Sequence, residues 1–131
     1  MKYALDTNIV TAILKKNNAL QERCLARRND IIIPAIVYYE TKRGLIDCKA
    51  RNKLLDFNKL CNVFSVDSIR NATLNKATEI YVTLKQSGKL IDDGDIFIAA
   101  SCIVHGYTLI TDNTRHFERI AELQYENWLK D

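Results

Sequence analysis

Leu90-Ile-Asp-Asp-Gly-Asp-Ile-Phe-Ile-Ala-Ala100 is the stretch on which the reading of this chain turns. Three carboxylates, Asp92, Asp93 and Asp95, fall within four residues and run straight into an apolar, alanine-rich segment. Such a segment is buried, and Asp and Gly at its mouth mark a helix start. Asp92 or Asp93 serves as N-cap, and acids there are favoured by the helix dipole. Capping does not use all three. Asp95, inside the first turn and beside buried residues, costs desolvation energy unless a cation or a hydrogen-bond donor compensates it. The helix is predicted to end at His105-Gly106 with glycine as its C′ residue, and Tyr107-Thr-Leu-Ile-Thr111 follows as a strand.

Working outward, the same alternation recurs. Lys2-Tyr-Ala-Leu5 reads as a buried strand, and a helix opens after it at Thr7 or Asn8. Residues 18–28 form an amphipathic helix with Leu20, Cys24 and Leu25 on one face. Ile31-Ile-Ile33 is a β-branched run of the kind found in parallel strands buried on both faces, and Pro34 closes it near the next helix start. Helices are predicted over Ile36–Leu45 and residues 49–60, then a strand over Asn62–Val66. Asp67-Ser68 is the expected cap of a helix from Ile69 to about Gln86. A short helical turn from Arg115 to Ile120 and a strand near Leu123–Tyr125 end the chain. The reading is a single domain over residues 1–131. Its fold class is α/β, with a mainly parallel central sheet of four or five strands flanked by helices and joined by right-handed crossovers.

The 131 residues are 47% hydrophobic, enough for one core. No apolar run approaches the ~20 residues that span a bilayer. Asp6 stands where a signal peptide would still be apolar, so a soluble cytoplasmic protein with no membrane partner is expected. Cys24, Cys48, Cys61 and Cys102 are widely separated, with no His at metal-ligand spacing, and read as reduced thiols buried as small hydrophobes. The net charge of +3 is compatible with a nucleic-acid partner without requiring one.

Two strands end alike: Leu5 runs into Asp6-Thr7-Asn8, and Ile110 into Thr111-Asp112-Asn113. In open parallel sheets, ligands bind beyond the carboxyl ends of the strands where the strand order switches. Asp6 and Asp112 are therefore expected at that edge, joined by the start of the Asp92–Asp95 helix and by Glu40 on the helix after Pro34. Converged carboxylates raise one another's pKa unless a cation intervenes. Oxygen ligands without His or Cys suit Mg²⁺ or Mn²⁺, which orient a phosphodiester and activate water.

Leu5-Asp-Thr-Asn8, Glu40 after Ile-Pro-Ala, Asp-Ile-Phe-Ile-Ala-Ala100 and Leu109-Ile-Thr-Asp-Asn-Thr-Arg-His-Phe117, taken in order with the ending Glu126-Asn-Trp-Leu129, resemble the PIN-domain ribonucleases. More closely they resemble the VapC toxins of bacterial toxin–antitoxin pairs. The resemblance implies a Mg²⁺- or Mn²⁺-dependent endoribonuclease cutting structured RNA, commonly transfer RNA. It also implies neutralisation by a cognate antitoxin, and a homodimer. Family positions fall on Asp6, Glu40, Asp95 and Asp112 as the catalytic set, with Asp6 and Asp95 as direct metal ligands. Glu40 and Asp112 would bind a second metal or position water, Asp93 is a rival or supplementary ligand, and Thr7, Asn8 and Thr111 would orient carboxylates or water.

Lys42, Arg43 and Arg115 are the RNA-binding candidates, with Lys15, Lys16 and Arg119 behind them; the pair Lys15-Lys16 reads first as helix-end charge. His105 is assigned to a helix end and His116 to the surface near Asp112. Two other functions fit parts of the pattern: a phosphatase or phosphotransfer domain using Asp6, and a non-catalytic PIN-like binding module.

Overall fold

Ile31-Ile-Ile33 offers no polar side chain to either face, so it is stable only between two layers. In the computed structural model, which describes residues 1–130, it forms a strand with all three residues buried. That strand is β2. With β1 (Tyr3–Leu5), β3 (Ser65–Val66), β4 (Thr108–Ile110) and β5 (Tyr125–Glu126) it forms one sheet in the order β3-β2-β1-β4-β5. Every neighbouring pair is parallel. Seven α-helices surround the sheet among the described residues: α1 (Thr7–Leu14), α2 (Asn18–Ala26), α3 (Ala35–Asp47), α4 (Arg51–Val63), α5 (Asn71–Gln86), α6 (Asp93–His105) and α7 (Thr114–Phe117). The expected α/β class and parallel sheet are what the chain forms.

The alanine-rich segment is α6, whose Ile96, Ile98, Ala99, Ala100 and Cys102 are buried. It packs against α5 and α3. Full burial of a side chain such as Ile98 stabilises the fold by about 2 kcal/mol. The helix stops at Gly106, whose φ of 72° is a left-handed conformation that glycine adopts without Cβ strain. No helix among the described residues is long and apolar enough to cross a membrane.

Three local expectations are corrected. The strand drawn over Asn62–Val66 shrinks to Ser65–Val66, because Phe57, Leu60 and Phe64 form a buried stripe at helical spacing that carries α4 through Val63. Asp67-Ser68 does not cap α5. That helix begins at Asn71, where the buried Thr73 hydroxyl accepts from the Arg70 amide at 3.4 Å, while Asp67 accepts from the Ser68 amide at 2.9 Å. The thiols of Cys24 and Cys102 are buried and Cys61 is half-buried, but Cys48 is exposed.

The strand order sets the site. β2 and β3 extend from β1 in one direction, β4 and β5 in the other, so the switch point lies between β1 and β4. Asp6 is the residue that follows β1 there.

Candidate active site

Asp6 follows β1 and caps α1. Its backbone amide still belongs to the sheet, donating to the Ile110 carbonyl at 2.9 Å. The side chain is only 4% exposed, and both of its oxygens are engaged. Oδ1 accepts from the Thr7 amide at 2.8 Å. Oδ2 accepts from the Thr111 hydroxyl at 2.7 Å and more weakly from Asn8 Nδ2 at 3.4 Å. Asn8 also accepts from the Asp112 amide at 3.1 Å, tying the start of α1 to the end of β4.

Glu40 reaches the same place from the middle of α3. Its Oε1 accepts from the Thr7 hydroxyl at 2.8 Å, so Thr7 links two acids: its amide holds Asp6 and its hydroxyl holds Glu40. Asp95 arrives from the first turn of α6, and its Oδ2 lies 2.9 Å from His116 Nδ1. The Asn113 side-chain amide stands 2.8 Å from the same ring atom, so a hydrogen on Nδ1 directed at Asp95 requires that amide to present its oxygen there.

Asp6, Glu40 and Asp95 line one open cavity of about 520 Å³, together with Thr7, Asn8, Thr11, Lys15 and Asn113. Burial lifts the Asp6 carboxyl from 3.8 to about 6. The charges of Asp95 and Glu40 push the same way, against the hydrogen bonds from Thr111 and Thr7. Among the described residues, no Lys or Arg forms an ion pair with any of the three. Nor are three acidic, His or Cys side chains gathered closely enough to grip a metal ion as they stand. The donor set nonetheless fits a hard divalent cation: carboxylate oxygens on one cavity, one of them buried and short of positive charge.

The remaining predicted residues divide. Thr111 is fully buried and holds Asp6. Asp112 does not join the cavity: its carboxylate turns to the chain's end, accepting from Asn127 Nδ2 at 2.9 Å, with Lys130 Nζ at 3.8 Å. Asp92 and Asp93 are exposed at the start of α6, outside the cavity lining. The three basic candidates are likewise outside that lining. Lys42 donates to the Tyr38 hydroxyl at 3.0 Å, Arg43 lies over the Tyr39 ring, and Arg115 is exposed on α7. Lys15, read from sequence as helix-end charge, is the lysine on the cavity. His116 and Asn113 were also missed as site residues. Their spacing of three at the opening of a short helix is the one signal that places them on a common side.

The PIN domain family matches residues 3–123. Ribonuclease VapC2 of Rickettsia felis is 30% identical over 148 residues, covering 99% of this chain and all of that protein. The tRNA(fMet)-specific endonuclease VapC of Shigella flexneri is 26% identical over 133 residues and 98% of each chain. Among solved structures, VapBC2 of Rickettsia felis bound to a DNA fragment from its promoter superposes with a TM-score of 0.89 at 28% identity, over 98% of this chain and 99% of that one. The chain belongs to the PIN-domain family and is of the VapC type.

Proposed function

We propose that this chain is a metal-dependent endoribonuclease toxin that hydrolyses phosphodiester bonds in structured RNA, transfer RNA above all. One observation carries the reading. Asp6 after β1, Glu40 from the middle of α3 and Asp95 from the first turn of α6 line one cavity at the sheet's switch point, and among the described residues no Lys or Arg pairs with any of them. Mg²⁺ or Mn²⁺ is the cofactor, held by Asp6 and Asp95 with Glu40 beside them. A bound divalent ion supplies Lewis acidity at the scissile phosphate and makes water a competent nucleophile at neutral pH.

The protein's own groups supply the rest. Thr111, Thr7 and Asn8 fix both oxygens of Asp6, so the carboxylate is oriented before any ligand arrives. Thr7 keeps Glu40 in the same frame. His116, 37% exposed, orients Asp95 through the 2.9 Å contact. Lys15 offers a sequence-blind contact to a backbone phosphate. In-line attack by water then leaves 5′-phosphate and 3′-hydroxyl ends.

The transfer-RNA substrate is supported by the name of the Shigella flexneri relative, and a cognate antitoxin by the Rickettsia felis VapBC2 complex. A homodimer is supported by exposed apolar side chains on α5, Leu74, Tyr81 and Val82. The cytoplasm is the compartment where toxin, antitoxin and RNA meet. The test is to map new RNA 5′ ends in cells after induction, beside an Asp6→Asn control, and to repeat cleavage in vitro with and without Mn²⁺. New ends that need both Asp6 and the metal support the proposal. Absence of metal-dependent cleavage on any cellular RNA overturns it in favour of a binding module.

A further inference from the structure

Gly94 lies in the first turn of α6, one residue before Asp95, and its backbone gives no reason for a glycine. Its φ is not positive, and within a helix glycine is less favourable than alanine. Space gives the reason. A β-carbon on Gly94 would stand 2.8 Å from Glu40 Oε2, with Glu40 Cδ at 3.6 Å and Ile36 Cγ2 at 3.7 Å. Gly44, the other glycine inside a helix, has nothing within 4 Å of the corresponding position. The atom that would have to yield at Gly94 is the free end of a flexible side chain, so the fold would survive and the carboxylate would move.

We infer that Gly94 is a positioning residue. By lacking a side chain it lets the Glu40 carboxylate seat against the start of α6, and this inference rests on the nuclease reading above. Each oxygen of Glu40 is then confined by a different helix start. Thr7 holds Oε1 at the start of α1, and the bare Cα of Gly94 admits Oε2 at the start of α6. Asp6 and Asp95 are the chain neighbours of these two contacts. The pair Thr7–Gly94 thus places the third carboxylate relative to the first two.

The experiment is a double-substitution cycle on the full chain, read by Mn²⁺ affinity from titration calorimetry, by RNA cleavage, and by the thermal midpoint of the metal-free protein. Gly94→Ala is expected to keep or raise the midpoint, to weaken Mn²⁺ binding and to lower cleavage by about 10- to 100-fold. In a Glu40→Ala background the same substitution is expected to add nothing, because no carboxylate remains to displace. A structural role would instead give the same loss in both backgrounds. Gly94→Ala with parental affinity and cleavage overturns the inference and leaves the nuclease reading standing. Additive losses, or a Gly94→Ala protein that fails to fold, do the same. A parent chain that neither binds Mn²⁺ nor cuts RNA overturns both.

Discussion

Asp6-Thr7-Asn8 and Thr111-Asp112-Asn113 follow neighbouring parallel strands and are nearly the same in spelling, yet their acids face different ways. Leu5 pairs with Ile110, so the residue level with Asp6 is Thr111 and not Asp112. Thr111 is buried and donates to Asp6 across the gap between the strands. Successive side chains leave a strand on opposite faces, and a slip of one residue exchanges those faces. Asp112 therefore turns outward to Asn127 and Lys130, while Asp6, nearly buried, lines the cavity. A motif that repeats with its acid moved by one place is, in a sheet, a motif with the opposite orientation.

The sharpest way to break this comparison is to neutralise the inward acid. Asp6→Asn keeps the shape and most hydrogen bonds of the side chain, and RNA cleavage should fall by more than about 100-fold. The circular-dichroism spectrum should be unchanged. Cleavage within a few-fold of the parent would remove Asp6 from the site.

The buried acid should also betray itself through pH in the metal-free protein. Its folded value is raised from 3.8 to about 6, so the folded state holds the proton more tightly than the unfolded chain. The stabilisation from this group is complete below pH 3.8 and is lost as pH rises through about 6. The gap between the two values sets an upper bound of about 3 kcal/mol. In urea unfolding across that window, the stability of the parent relative to Asp6→Asn should fall as pH rises. A constant difference would mean that Asp6 titrates as an ordinary carboxyl.

Thr111→Val removes the hydroxyl that replaces water around Asp6 Oδ2 while keeping the branched shape at the end of β4. Cleavage should fall by about 10- to 100-fold, with Mn²⁺ affinity falling alongside it. The smallest effect belongs to the outward acid. Asp112→Asn should leave cleavage within about threefold of the parent, as expected for an exposed position away from the chemistry. If Asp112→Asn costs more than Thr111→Val in a cleavage assay, the orientation described for the two strand ends is wrong.

Much of this was legible in the sequence because it depends on local pattern. Ile31-Ile-Ile33 could only be an interior strand, the Asp-to-Ala100 stretch could only open a buried helix, though Asp92 at its N-cap makes no side-chain capping bond, and Gly106 marked its end. Asp6 and Asp95 were legible for a related reason: each stands beside an apolar run that takes it towards the interior. Asp67 and the end of α4 were misread because two periodic patterns met there, and the helical stripe of Phe57, Leu60 and Phe64 outlasted the strand pattern. Gly94 was passed over, Lys15 stood behind other basic candidates and His116 was assigned to the surface, because none is unusual in its own segment. Each matters only through a partner far away in the chain.

The sequence by itself determined the α/β class, the order of strands and helices, and a chain with more carboxylates at helix and strand ends than capping uses. Periodicity and composition are properties of neighbouring residues, and they suffice for that. Only the tertiary structure decided which acids meet. The register of β1 against β4 chose Thr111 over Asp112, and the approach of α3 to α6 brought Glu40 against Gly94. Those choices depend on side-chain direction and on distances between segments about fifty to a hundred residues apart, which no local pattern encodes.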